Sequence, residues 1–140
     1  MHDSALAAAE VRAVIFDCDG TLVDSEVPGL DVLHQLAGAH GAVFVREEAH
    51  ALFRGKRMAD CVEAIAQRLA VRPEGFNDAF TIAVRQAMAV RFRESLDPMP
   101  GALALVERLQ IPFCVATNGP REKAELTLGL TGLLPWFAGR

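Results

Sequence analysis

Two short apolar runs, each ending in a polar turn, predict the strands of a parallel sheet. Residues 11–16 form the first run and residues 113–116 form the second, and a polar segment follows each. Nearly continuous apolar runs of this length are typical of strands buried on both faces of a sheet. Residues 101–110, directly before the second run, carry apolar side chains at helical spacing. The pattern therefore predicts a βαβ unit with a right-handed connection, and a further helix over residues 120–130.

The long segment between the two runs shows the spacing of amphipathic helices. Three apolar stripes recur at intervals of three and four positions; they consist of Val27, Leu30, Leu33 and Ala37, then Met58, Cys61, Val62, Ile65 and Leu69, then Phe76, Phe80, Val84 and Ala87. Consecutive amphipathic helices need a shared apolar centre, so residues 25–94 are predicted to form an inserted all-α bundle, or cap. Residues 1–24 and 95–140 would then form a partial, Rossmann-like α/β core.

Composition narrows the class of protein. The chain of 140 residues has 14 Lys+Arg against 18 Asp+Glu, a net charge of −4, with 51% hydrophobic residues. It is too apolar for a disordered chain and lacks the basic surplus that binding nucleic acid by bulk charge requires. Three scattered cysteines without a CxxC pair favour a reducing compartment over a disulfide framework. The first ten residues lack the basic segment and the long apolar run of a secretory signal, and no apolar run is long enough to span a membrane. We therefore expect a cytoplasmic protein that binds no membrane.

The chemistry-bearing residues follow the two predicted strands. Asp17 and Asp19 come directly after the first strand, and Thr117 directly after the second. Because parallel strands end at one edge of the sheet, these side chains should face a common crevice. In that crevice Asp17 could act as a nucleophile, and Asp19 could donate and accept a proton. The turns at Gly20 and Thr117 could bind an anion. Carboxylates beside phosphate oxygens call for Mg²⁺. A DxDG turn alone also occurs as a plain polar loop, but its pairing with Thr117 favours phosphoryl transfer.

Three segments carry a family resemblance. VIFDCDGTLVDSE at 14–26 resembles the first signature of the haloacid dehalogenase (HAD) superfamily, and VATNGP at 115–120 its second signature. PMPG at 98–101 resembles the re-entry segment of the subfamily of β-phosphoglucomutase-like and 6-phosphogluconate phosphatase-like enzymes, which carry a helical cap. The resemblance implies a HAD α/β core and a phosphatase of small phosphorylated metabolites, with sugar phosphates as the expected class.

The same resemblance implies roles for individual residues. Asp17 would be the nucleophile that forms an aspartyl phosphate, and Asp19 the general acid and then the general base. Mg²⁺ would be bound by the carboxylate of Asp17 and the backbone carbonyl of Asp19. The residues predicted to bind phosphate are Cys18, Gly20, Thr117 and Asn118; the Cys18 side chain is interpreted as a packing residue, not as a nucleophile.

The family's third and fourth motifs, which supply a lysine and further acids, are not found in the sequence. Lys123 is the one lysine after the second signature, and we expect it on a helix surface. Two parallel strands do not make a stable sheet, so the chain is interpreted as a truncated phosphatase with little activity alone, open to self-association or to a complementing C-terminal segment. Trp136 and Phe137 would then be exposed. A sugar-phosphate mutase and a non-catalytic interaction subunit remain as alternatives.

The cap contains one candidate for substrate recognition, the basic loop Arg54, Gly55, Lys56 and Arg57. It lies between two helical stretches, where the resemblance places a substrate-specificity loop. Three cations around a glycine suit the second charge of an acidic sugar phosphate. A solvated basic turn is an equally good interpretation of such a charge cluster.

Overall fold

The computed structural model describes residues 10–138, so nine of the ten N-terminal residues that were searched for a secretory signal lie outside the described residues. The elements in chain order are β1 (Val14–Asp17), α1 (Glu26–Ala39), α2 (Arg46–Phe53), α3 (Met58–Arg68), α4 (Phe76–Glu94), α5 (Ala102–Arg108), β2 (Phe113–Ala116), α6 (Arg121–Leu130) and α7 (Leu134–Phe137). Two compact units result: an α/β unit, made of the residues up to Val23 and from Pro98 on, and a helical unit, Asp24–Asp97. Across residues 10–138, no helix combines the length and apolar character that crossing a membrane requires.

The sheet of the α/β unit is a parallel pair in which β1 lies beside β2. Val14 pairs with Phe113, and Asp17 with Ala116. Side chains alternate between the two faces of a strand, and Phe16 and Phe113 are buried on one face. Ile15 lies on the other face and is 72% exposed. The prediction that both faces are buried is therefore wrong for β1 within the described residues, because no described element covers the face of Ile15.

An aromatic cluster forms the centre of the α/β core. The rings of Phe16, Phe113 and Phe137 meet edge to face, with centroids 5.2–6.1 Å apart. This geometry places the positive edge of one ring against the negative face of the next. Phe137 is 4% exposed, so the prediction that it would be exposed is wrong, whereas Trp136 is 38% exposed. The short helix α7 explains the difference, since it turns Phe137 toward β1 and leaves its neighbour outside.

The helical unit is built on the predicted stripes. Leu30 and Leu33 of α1, Ile65 of α3, and Phe80 and Val84 of α4 are all buried in one apolar cluster. The third stripe continues further than predicted, through Met88 and Phe92, so that α4 runs for 19 residues. The helix α2 buries only Ala49 and Phe53. A helix of eight residues with two buried side chains gives little periodic signal, which explains why the sequence showed no separate stripe for it.

Candidate active site

The register of the sheet brings the two predicted strand ends together. Asp17, the last residue of β1, pairs with Ala116, the last residue of β2, so Thr117 follows immediately beside it. Asp17 is exposed, and its Oδ1 accepts a 2.9 Å hydrogen bond from the backbone N–H of Cys18. Within residues 10–138, its second oxygen, Oδ2, has no hydrogen-bond partner. The structure therefore leaves one oxygen of this carboxylate open at the edge of the sheet.

The turn after β1 is fixed by backbone hydrogen bonds around a single carbonyl. The carbonyl oxygen of Cys18 accepts from the N–H groups of Thr21, Leu22 and Val23 at 3.3, 2.9 and 3.2 Å. Gly20 has a φ of 74°, which favours glycine because a Cβ is strained there. Its N–H donates to the carbonyl of Val23 at 2.9 Å. The backbone N–H of Gly20, which was predicted to bind phosphate, therefore already donates a hydrogen bond within the turn.

Asp19 is held by an ion pair that the sequence did not predict. The Nζ of Lys123, in the first turn of α6, lies 3.2 Å from Oδ2 of Asp19. The side chains of Lys123 and Asp19 are 28% and 37% exposed. The expectation that Lys123 is a solvated surface residue is therefore wrong. One feature of the sequence could have indicated this ion pair. A cation in the first turn of a helix is repelled by the positive end of the helix dipole, and a nearby carboxylate stabilises it.

The turn after β2 places a hydroxyl beside that lysine. Thr117 Oγ1 accepts a 3.1 Å hydrogen bond from the N–H of Gly119. A methyl group added at Gly119 would lie 3.5 Å from Thr117 Oγ1 and 3.7 Å from Cδ of Lys123. A side chain at Gly119 would therefore touch both the hydroxyl of Thr117 and the stem of Lys123. Asn118 is exposed and its side chain makes no hydrogen bond within residues 10–138.

Cys18 lies beneath the turn. It is buried, and its Sγ lies 3.9 Å from Oγ1 of Thr127 on α6. Burial, reinforced by the charge of Asp19, raises the pKa of the Cys18 thiol. A thiol that stays protonated at neutral pH is a poor nucleophile. These contacts are those of a packing residue that joins β1 to α6.

The donor atoms at this edge fit the chemistry of Mg²⁺. This ion prefers oxygen ligands, and sites that bind it commonly supply one or two carboxylates while water and substrate oxygens complete the shell. Asp17 could supply such a carboxylate, and the main chain of Asp19 could supply a carbonyl oxygen. Within residues 10–138, however, no three His, Cys, Asp or Glu side chains cluster as ligands. The described residues therefore fit a magnesium site in which water and substrate supply most of the ligands. They do not fit a site in which protein side chains surround the ion.

In the helical unit, the basic loop follows α2 and precedes α3. Arg54 forms an ion pair with Glu26 of α1. Arg57 makes two hydrogen bonds to Asp60, at 3.0 and 3.3 Å, and these lower the pKa of the Asp60 carboxyl. Lys56 is exposed and has no ion-pair partner within residues 10–138. Two of the three cations of the loop are therefore neutralised locally, and Lys56 keeps its charge for solvent or a ligand.

The fold and this edge define a class: an α/β protein with two aspartates, a threonine and a lysine at the carboxyl ends of parallel strands. A model of the haloacid dehalogenase-like hydrolase family matches residues 11–140. The chain belongs to this family, and the family and fold class predicted from the signature segments are confirmed.

The chain is also similar to two curated proteins and to a solved structure. The chain is 31% identical over 132 residues to 6-phosphogluconate phosphatase of Escherichia coli (strain K12), covering 92% of this chain and 58% of the relative. It is 29% identical over 126 residues to validoxylamine A 7'-phosphate phosphatase of Streptomyces hygroscopicus subsp. limoneus, covering 88% and 57%. A HAD family hydrolase of Deinococcus radiodurans R1, solved with bound phosphate and sodium, superposes with a TM-score of 0.62 at 27% identity, covering 89% and 54%. The chain thus spans somewhat more than half the length of these proteins.

Proposed function

We propose that this chain carries the nucleophile and proton-transfer residues of a Mg²⁺-dependent phosphatase that acts on a small phosphorylated metabolite, with sugar phosphates as the substrate class. The observation that carries the proposal is the parallel register, in which Asp17 lies opposite Ala116 and next to Thr117. The names of the two curated relatives, each a phosphatase of a small phosphorylated compound, support the substrate class.

Asp17 would begin the reaction. Its Oδ1 is fixed by the N–H of Cys18 at 2.9 Å, which orients the carboxylate and leaves Oδ2 to attack phosphorus. The new bond joins this oxygen to phosphorus, and the bond between phosphorus and the ester oxygen breaks. Asp19 would give its proton to the departing ester oxygen, so that the alcohol leaves neutral.

The same two residues would complete the cycle. An aspartyl phosphate on Asp17 is hydrolysed when water attacks phosphorus, and Asp19, now a carboxylate, takes the proton of that water. Free phosphate and the original Asp17 carboxylate result. A mutase would differ at this step alone, since the phosphoryl group would return to a sugar hydroxyl and not to water.

Binding of the phosphoryl group would fall to the two turns. The hydroxyl of Thr117 and the amide of Asn118 would donate to phosphate oxygens. Asp17 and the carbonyl of Asp19 would hold Mg²⁺, which would neutralise charge on the phosphoryl group. The backbone N–H groups of Cys18 and Gly20 are further candidate donors. Each now bonds another acceptor, Asp17 Oδ1 and the Val23 carbonyl, so phosphate would have to displace these.

Recognition of the rest of the substrate is assigned to the basic loop, above all to Lys56. Arg54, Gly55 and Arg57 would shape the loop, since both arginines are engaged with neighbouring acids and Gly55 has a φ of 73°. A single exposed ammonium suits a substrate with one additional negative group, such as the carboxylate of a sugar acid phosphate.

The 140-residue chain itself is expected to turn over slowly. Within residues 10–138 the site offers two carboxylates and no larger group of metal ligands, so Mg²⁺ should bind weakly. The three cysteines are free thiols, which supports a reducing, cytoplasmic setting.

One observation favours a second function, that of an interaction subunit. Ile15 is 72% exposed on the uncovered face of β1, and a large apolar side chain there suits a partner or a second copy of the chain. Sedimentation velocity distinguishes the cases. Formation of a dimer, or of a complex with a complementing C-terminal segment, would support this role if Ile15→Thr abolishes it. A chain that stays monomeric at high concentration would count against it.

The phosphatase proposal is tested with Asp17→Asn. Hydrolysis of 6-phosphogluconate and hexose monophosphates is measured with and without Mg²⁺, at high protein concentration, and the covalent phosphate is sought by mass spectrometry after acid quenching. We expect Mg²⁺-dependent phosphate release that Asp17→Asn abolishes. The matched control, Asp78→Asn on the exposed face of α4, should behave as the wild type. Normal turnover by Asp17→Asn would refute the proposal, and an isomerised sugar phosphate without free phosphate would indicate the mutase.

A further inference from the structure

The contact between Lys123 and Asp19 joins the two signature segments through side chains. Asp19 follows β1 and Lys123 belongs to α6, which follows β2. Their 3.2 Å separation is that of an ion pair with a hydrogen bond. Because both side chains are only partly exposed, solvent screens the pair less than it would a fully exposed one.

The stem of Lys123 lies close to Gly119 in the turn after β2. Gly119 lies beside it without a side chain, and a Cβ there would meet Cδ of the lysine at 3.7 Å and Oγ1 of Thr117 at 3.5 Å. Lys123 thus passes next to the Thr117 turn before its ammonium reaches the carboxylate. One side chain therefore extends from the neighbourhood of Gly119, in the turn after β2, to a carboxylate in the turn after β1.

The ion pair between Lys123 and Asp19 changes the net charge at this edge of the sheet. Before Asp19 takes up the proton that it later gives to the ester oxygen, Asp17 and Asp19 bring two negative charges to the place where a phosphate anion must enter, and like charges a few ångströms apart repel it. The ammonium of Lys123 cancels one of them. It also holds the carboxylate of Asp19 on the side of α6, whereas the Cys18 N–H holds that of Asp17.

We propose that Lys123 is a positioning residue of this site: it fixes the carboxylate of Asp19 and lowers the negative charge that an entering phosphate meets. The inference rests on the proposed function for the identity of the anion. The ion pair itself can be tested without any substrate, so the two can fail separately.

The first experiment reads the ion pair directly. The chain has two lysines, Lys56 and Lys123, so selective ¹⁵N labelling gives two side-chain ammonium signals, which Lys123→Arg assigns. We expect Asp19→Asn to shift the signal of Lys123 and to leave that of Lys56 unchanged. An unchanged Lys123 signal would overturn the proposal.

The second experiment measures binding of inorganic phosphate in the presence of Mg²⁺ by calorimetry on the same 140-residue chain. Lys123→Met should weaken binding roughly tenfold, since one compensating charge is lost. Lys123→Arg keeps the charge and should recover most of the affinity. Arg108→Met, which removes an exposed cation from α5 of the same unit, should bind phosphate as the wild type does. Thermal denaturation of each variant verifies that it folds.

Three outcomes separate the two proposals. Wild-type affinity in Lys123→Met would overturn the role of Lys123. Equal loss in Lys123→Met and Lys123→Arg would overturn it as well, because a role through charge predicts rescue by arginine. If the wild type binds no phosphate at all, the proposed function fails instead, and the ammonium signals still decide whether Lys123 holds Asp19.

Discussion

The helical unit and the α/β unit bury apolar surface in different ways. The helical unit closes its core among four helices, where the rings of Phe76 and Phe80 stack with centroids 5.1 Å apart. The α/β unit packs helices and aromatic rings on one face of its two strands and leaves Ile15 of the other face exposed. A helix satisfies its backbone within itself, whereas a strand needs neighbours on its edges and cover on its faces.

Because of this difference, the residues that matter most for stability and the residues of the candidate site belong to different units. The geometry of the candidate site depends on where the two strands end, and both strand ends belong to the α/β unit. The helical unit instead offers a large core and the charged basic loop. We therefore expect substitutions in the helical core to affect unfolding most, and substitutions at Asp17, Asp19 or Lys123 to affect ligand binding with little effect on unfolding.

The largest expected effect is that of Phe80→Ala. Phe80 is 1% exposed at the centre of the helical core, and truncation of a buried phenylalanine costs about 3–5 kcal/mol through lost transfer free energy and the cavity that remains. Urea denaturation of the full chain measures the free energy of unfolding. Ile82→Ala, on the exposed side of the same helix, should cost less than about 1 kcal/mol. Equal losses would show that this core is not closed as described.

The next effect tests the α/β core. Phe137→Ala removes the ring that meets both Phe16 and Phe113, and it should lower the free energy of unfolding by about 3 kcal/mol. Its neighbour Trp136, much more exposed, provides the control, and Trp136→Ala should cost about 1 kcal/mol or less. If the two variants unfold alike, the aromatic cluster does not hold the α/β unit together.

A smaller effect concerns the polar link between α1 and α2. The hydrogen bond from Arg46, with a second from His50, lowers the pKa of the Asp31 carboxyl, although burial opposes this shift. Because the pKa is lower in the folded state, the ionised carboxylate stabilises the fold at pH values above the unfolded-state pKa of about 3.9, and this stabilisation is lost as the pH falls through the folded-state pKa. Asp31→Asn should therefore cost about 1 kcal/mol at neutral pH and progressively less below about pH 4.

The control for this prediction is Glu94→Gln, which removes an exposed carboxylate from the same unit. It should change the free energy of unfolding by less than about 0.5 kcal/mol at either pH. A cost of Asp31→Asn that stays constant between pH 7 and pH 3 would contradict the assignment of the effect to the ionised carboxylate.

The smallest expected effect leaves stability unchanged and compares the cysteines of the two units. Burial raises the pKa of Cys61 to about 11 and also raises that of Cys18. At pH 8 the Cys61 thiol is then about one part in a thousand thiolate. Iodoacetamide should therefore alkylate the half-buried Cys114 before either of them, as peptide mass spectrometry would detect. Early labelling of Cys61 would show that the helical core opens readily.

Much of the secondary structure was accessible from the sequence because it is local. The strand Phe113–Ala116 and the helix Arg121–Leu130 begin and end within a residue of their predicted bounds, since Pro112 and Pro120 delimit them. The strand β1 begins three residues later than predicted, because an apolar run shows where a strand fits but not where its partner starts. The short helices α2 and α7 carry too few buried positions to give a pattern.

Local patterns in the chain identify the residues that are chemically able to act, two aspartates after one strand and a threonine after another, and they identify the family to which the chain belongs. Which of these residues touch one another depends on the folded arrangement. Lys123 lies more than a hundred positions from Asp19 along the chain, and no local spacing encodes their ion pair. The register of β1 on β2 and the direction of α6 create it, and both depend on packing between segments that are distant in sequence.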